Sequence, residues 1–160
     1  MRFSLRTLLI LTIPLLLPPA FGQEKGDAGE ALYGEWEIVE LVKGGKVQDF
    51  GRKPGGWFVF EPGGFLWLFN ARDREWLERD KRARKLAMQR CATRRGEIDI
   101  WIKTAGRKEE MLLKARYDLQ GGRMRVIWNN DYGERPTDFT AAVTNRRLNL
   151  FVLKKLVKSL

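Results

Sequence analysis

The side chains of this sequence that could do chemistry are mostly carboxylates: Glu97 and Asp99 at alternate positions, then Asp118, Asp131, Glu134 and Asp138. Two acids held about 5 to 9 Å apart across a cleft can hydrolyse glycosides. Glu97 and Asp99, however, alternate with Ile98, Ile100 and Ile102, and Asp118 alternates with Tyr117 and Leu119. That pattern sets all three acids on the polar faces of their strands, where a solvated charge is the default. The chain has no His and one Cys, Cys91, which excludes an imidazole base, a His or Cys/His zinc cluster and an intramolecular disulfide. Without a His partner, Cys91 reads as half-buried packing and not as a nucleophile. Asn129 to Glu134 offers oxygen donors, but their spacing is not that of an EF-hand and turn chemistry explains them. No residue pair shows base and nucleophile logic, so the expectation is a non-enzymatic protein with no catalytic residue, metal or cofactor.

Two constellations point to binding instead. Trp57, Phe58, Phe60, Phe65, Trp67 and Phe69 fall in one hairpin, and because successive strand residues point to opposite faces, both of its faces are apolar. One face needs a cover beyond the core: the segment 72–95, a partner chain, a lipid, or a ligand bridging an open end. An aromatic core with a covering helix is the simpler account. The functional account is a barrel mouth, lined by this hairpin, that captures a small apolar or amphipathic ligand. The second constellation is the segment 72–95, with ten Lys or Arg against four acids and no Gly or Pro. Arg90, Arg94 and Arg95 have no acid beside them within it, which makes them the candidate contacts for an anionic envelope component. Nucleic acid is not the expected partner, since no reader motif is present.

The elements that must position these residues are strands. From Gly34 onward, short apolar runs alternate with turn signals: Trp36 to Val42 before Gly44-Gly45, Trp57 to Phe60 before Pro62-Gly63-Gly64, and Phe65 to Phe69. The clearest alternation is Ile98, Ile100, Ile102 against Glu97, Asp99, Lys103. Residues 111–119 and 123–129 alternate on either side of Gly121-Gly122 and predict a hairpin, and Thr137 to Ala141 and Leu148 to Lys154 are further strand runs. Without βαβ alternation, this spacing predicts an all-β, mainly antiparallel sandwich or barrel. The exception is 72–95: Arg74 to Leu86 is rich in helix formers with Asn70 or Asp73 as a cap, and Lys85 to Ala92 reads equally as strand, so a short helix or an eighth strand both fit.

Residues 1–22 have the plan of a secretory signal peptide: Arg2 and Arg6, the apolar run Leu8 to Leu17, then Pro18-Pro19-Ala20-Phe21-Gly22. The run falls short of the ~20 apolar residues of a spanning helix, so no transmembrane segment is expected after cleavage. Residues 23–31 read as a flexible leader, 32–155 as the domain and 156–160 as a tail. The expected location is the periplasm or the exterior. The whole chain carries 30 Lys+Arg against 20 Asp+Glu, a formal charge of +10. Six of those net charges come from 72–95 (10 − 4), so the basic character is local.

In order, Leu32-Tyr33-Gly34-Glu35-Trp36, Gly44-Gly45-Lys46, Phe58-Val59-Phe60, Tyr117-Asp118-Leu119-Gln120-Gly121, Arg135-Pro136-Thr137-Asp138-Phe139 and Leu150-Phe151-Val152-Leu153-Lys154 mark this chain. Together they resemble a lipocalin-like domain family abundant in planctomycete exported proteins. The sequence departs from that family where Arg95-Gly96-Glu97 precedes Ile98-Asp99, and 72–95 matches it poorly. The resemblance implies a small closed or nearly closed barrel and brings no established activity. It also implies an end motif: Gly34 admits the chain to the first strand, Trp36 plugs the barrel, and Lys154 or Lys155 lies over the indole. Arg135, Pro136, Thr137 and Phe139 enter as family-motif residues, with Arg135 expected to salt-bridge or hold a bend.

Overall fold

A computed structural model describes residues 29–50, 52–80, 87–103 and 108–157. The expected signal peptide, residues 1–22, and the greater part of the leader lie outside the described residues. The chain forms β1 (Gly34–Lys43), β2 (Lys46–Asp49), β3 (Gly56–Glu61), β4 (Phe65–Asn70), the short helix α1 (Arg74–Arg79), β5 (Met88–Arg94), β6 (Glu97–Ile102), β7 (Met111–Gln120), β8 (Arg123–Asn129) and β9 (Leu148–Lys155). Each strand from β3 to β9 pairs antiparallel with the next, and β1 pairs with both β3 and β9. Eight strands therefore close into an antiparallel barrel, which removes the exposed edges of an open sheet. The short β2 prolongs the edge of β1 beyond β3, from Lys43↔Lys46 to Glu40↔Asp49.

Two-residue alternation sets the inside of the barrel. Ile98, Ile100 and Ile102 pair with Ala115, Leu113 and Met111, and Tyr117 pairs with Val126, while Leu119, opposite Met124 at the strand end, is 40% exposed. Met124 and Val126 pair in turn with Leu153 and Phe151. A slip of one residue would turn this whole set out to solvent, so the apolar face fixes the register. Trp36, Phe58, Leu66, Ile98, Ile100, Met124, Val126 and Leu153 are all at most 2% exposed. Along β1 the alternation breaks: a bulge between Ile38 and Glu40 resets the phase, so that Ile38 and Leu41, three positions apart, pair with the inward Leu153 and Phe151.

The outside carries two apolar patches, each with its own cover. Val42, Ile127, Leu148 and Leu150 on β1, β8 and β9 cluster with Ala142 of a 3-10 turn, Thr140–Val143. Over β3 and β4 lies α1, with Leu77 only 4% exposed and the Arg74 guanidinium 4.4 Å from the centre of the Trp57 ring. The segment 72–95 thus contributes both a helix and a strand, with residues 81–86 outside the described residues.

One expected strand is absent. Thr137 to Ala141 forms no ladder: Asp138 accepts hydrogen bonds from the backbone N–H (2.8 Å) and hydroxyl (2.6 Å) of Thr140. This local side-chain turn, following a proline that lacks an N–H, competes successfully with strand pairing.

Candidate functional site

The two ends of the barrel differ. At one end are the start of β1, the end of β9 and the tight links after β3, β5 and β7. A 3-10 turn, Glu30–Leu32, closes this end, so Glu30 and Ala31 of the expected leader are structured. Leu32 is fully buried, and its carbonyl accepts a 2.7 Å hydrogen bond from the Trp36 indole N–H. The ammonium of Lys155 sits 5.2 Å from the centre of the Trp36 ring and donates to the Ala31 carbonyl at 3.1 Å. Lys154 pairs with Glu37 on the outward side and is exposed, so of the two lysines the indole takes Lys155. The choice follows from register, because Lys155 stands opposite the inward Trp36. Gly34 enters β1 at φ +115°, where a side chain would be strained.

The other end, where the connections between strands are longer in sequence, is a mouth. Its floor is aromatic: Trp128 and Phe151 have ring centres 4.4 Å apart, and Phe58 lies 5.3 Å from Phe151 and 5.9 Å from Trp128. Above the floor opens a cavity of about 320 Å³, with Ile38, Leu41, Phe50 and Leu68 in its wall. The β1 bulge builds part of that wall. The carbonyls of Ile38 and Val39 accept the N–H groups of Gly55 and Phe50, at 2.9 and 3.2 Å, which pins the chain between β2 and β3 across the mouth. Phe50 then lies against Gly55, where a Cβ would come within 2.4 Å of its ring. Around the start of β3, where Gly55 and Gly56 carry no side chain, the cavity wall continues to Trp57 and Phe69, whose rings stack at 5.6 Å. Asn70 and Asp73 form the rim there. Trp57 is 7% exposed, yet its indole N–H finds no acceptor among the described residues.

The structure divides the six aromatic candidates. Trp57, Phe58 and Phe69 line the mouth. Phe60 is core, 3% exposed. Phe65 and Trp67 pair with Glu61 and Val59 on the outer face, and Trp67 borders a separate groove of about 540 Å³ beside α1. That groove has charged walls, including Glu35 and Arg74, which form a 3.0 Å ion pair. Leu41, Phe50, Leu68, Trp128 and Phe151 were not among the candidates. Alternation with Met124 and Val126 places Trp128 inward, but nothing local marks Phe50, whose position depends on the bulge.

The carboxylates are structural partners. Arg135 crosses the outside of β6 and β7: it donates to Asp99 at 2.6 Å, to the Ile98 carbonyl at 3.2 Å and to the Ala115 carbonyl, and lies 3.6 Å from Glu97. Pro136 beside it is buried, Thr137 is exposed, and Phe139 packs on the outer apolar patch beneath the Arg125 guanidinium, 4.7 Å away. Asp118 binds Arg125 through both oxygens, and chiefly this bond holds the guanidinium pKa above its ordinary value. Asp131 pairs with Arg147 at 3.3 Å. The Thr140 hydroxyl and backbone N–H hold Asp138 below the usual carboxylate range. Within 129–134, Asn129 closes a turn onto the Asp131 N–H, and Asn130 exchanges amide hydrogen bonds with the buried Asn149. Among the described residues no three His, Cys, Asp or Glu side chains converge on one point.

Of the basic candidates, Arg94 and Arg95 are exposed at the link between β5 and β6. Arg90 is not without an acid: Glu110, twenty residues away, pairs with it, and its guanidinium lies 5.2 Å from the Trp101 ring. The sheet register brings that acid close, which proximity along the chain could not reveal. No helix among the described residues is long and apolar enough to cross a membrane. Neither a scan against protein-family models nor searches of curated proteins and of solved structures find a match for this chain.

Proposed function

We propose that this chain is a non-enzymatic, lipocalin-like binding module, exported by its N-terminal leader, that captures a small apolar or amphipathic ligand in the mouth of its barrel. The observation that carries the proposal is the mouth cavity of about 320 Å³ with its floor of Phe58, Trp128 and Phe151. Ligand pockets of ~300 to 1,000 Å³ are typically lined by apolar and aromatic side chains with a few placed polar groups, and this one stands at the small end. Burial of apolar ligand surface there is favourable by about 25 cal/mol per Å² before the costs of association.

The test is a titration of the intact domain with methyl decanoate and with butylbenzene, followed by tryptophan fluorescence. Saturable quenching is expected in the wild type. Leu68→Trp, which fills the mouth from its wall, should weaken binding at least ~10-fold, equivalent to about 1.4 kcal/mol. A flat response to both probes, or equal affinity in L68W, would remove the proposal. Docking on anionic envelope surfaces through 72–95 is the less supported reading, because Arg90 is engaged by Glu110.

A further inference from the structure

We infer that the mouth takes an amphiphile with a zwitterionic head, its tail on the aromatic floor and its two charges met by Asp73 on one side and by Lys53 and Arg72 on the other. This inference rests on the mouth as the binding site and names the chemistry of its ligand. The cavity does not end at the rim. A groove of about 490 Å³ lies beside it, and Phe50, Gly55 and Asn70 are walls of both. Gly55 is the sill between the two spaces: its N–H is held by the Ile38 carbonyl at 2.9 Å, and a Cβ there would meet the Phe50 ring at 2.4 Å. A ligand whose tail fills the mouth therefore has its head at the groove.

The charges along this path lie in a definite order. The ionisable group in the mouth wall is Asp73, and the groove adds Asp49, Lys53 and Arg72. Asp73 precedes α1, but its side chain makes no capping hydrogen bond, so the carboxylate is not spent on the helix. Lys53 is set beside Phe50 by a turn in which its N–H reaches the Phe50 carbonyl at 3.1 Å, and the Arg72 N–H is fixed on the Asn70 side-chain oxygen at 2.8 Å. Among the described residues neither cation has an acid partner, whereas Arg74, Arg125, Arg135 and Arg147 are each held by one. Asp49 has a contact of its own within the chain. An acid at the mouth and two cations beyond it match a head with its positive group next to the tail and its negative group outermost. A head of one sign would meet repulsion from part of this wall.

The experiment compares four probes by isothermal titration below their micelle thresholds: N-decyl-N,N-dimethylglycine, whose ammonium precedes its carboxylate, decyltrimethylammonium, decanoate and butylbenzene. The proteins are the wild type, Asp73→Asn, and the double variant Lys53→Gln with Arg72→Gln, with thermal melts confirming that each is folded. Asn serves as well as Asp before a helix, so D73N tests the charge alone. The wild type should bind the zwitterion more tightly than either singly charged probe. D73N should weaken the zwitterion and the ammonium by about 2- to 5-fold, the range of an exposed ion pair, and should not weaken decanoate. The double variant should weaken the zwitterion and decanoate by a similar factor and should not weaken the ammonium, while butylbenzene binds all three proteins alike. A singly charged probe that binds the wild type as tightly as the zwitterion would overturn the inference and leave the mouth as the binding site. Unchanged affinity for the zwitterion in either variant would overturn it as well. Failure of all four probes to bind the wild type would remove the site itself, and the inference with it.

Discussion

Arg135 concentrates more structural work than any other charged residue described. Its guanidinium ties the chain after β8 to two strands by an ion pair to Asp99 and by donation to the carbonyls of Ile98 and Ala115, with the side chain only 16% exposed. Removing it leaves a half-buried carboxylate and two carbonyls without their donor, so Arg135→Ala should cost about 2 to 3 kcal/mol in urea unfolding. Arg135→Lys keeps the charge but not the planar fork, and should recover less than half of that loss. A loss below ~0.5 kcal/mol in R135A, the range of ordinary surface substitutions, would contradict the clamp. Cys91 makes a second prediction at this scale. Burial pushes its thiol up to about 11 from an ordinary 9.0. Between those values the unfolded chain releases the proton while the folded chain keeps it. Stability therefore falls as pH rises from about 9 to 11, by up to ~1.4 kcal/mol per unit, and is unaffected by this group below 9. Unfolding curves of the wild type should steepen relative to Cys91→Ala in that window, and parallel curves would show that the thiol titrates normally.

At the scale of elements, the hairpin of β3 and β4 explains why a helix is present in an all-β protein. With Phe58, Phe60, Leu66 and Leu68 turned inward and Trp57, Val59, Trp67 and Phe69 outward, the hairpin has two apolar faces, and the barrel can bury only one. The α1 helix covers the other. Leu77→Ala should therefore destabilise the domain by about 2 to 4 kcal/mol, as expected for truncation of a buried leucine. It should also raise acrylamide quenching of the tryptophans, since Trp57 and Trp67, now 7% and 6% exposed, would lose their cover. Unchanged quenching together with unchanged stability would show that α1 is dispensable. The helix is short, so its stability must come from this docking and not from intrinsic propensity.

For the whole molecule, the parts legible in the sequence are those where a local rule and the global fold agree. Alternation through Ile98, Ile100 and Ile102 and across the hairpin of β7 and β8 identified inner faces that the closed barrel uses as expected. Register, bulges and long-range approach were not legible. The bulge at Val39 decides which β1 residues face inward, the ladder of β9 on β1 brings Lys155 instead of Lys154 to Trp36, and the folded sheet sets Glu110 beside Arg90. The mouth is of the same kind: Phe50, Phe58, Trp128 and Phe151 are far apart in the chain and meet only on closure. Capture of a ligand at that mouth can be followed directly through the six tryptophans, each of which gives its own indole N–H resonance in a nitrogen-15 correlation spectrum. With methyl decanoate added, the resonances of Trp57 and Trp128 should move, while those of Trp36 at the closed end and of Trp76 and Trp101 stay in place. Movement of Trp67 alone would put the ligand in the outer groove beside α1, and a spectrum in which no indole resonance moves would contradict ligand capture by this barrel.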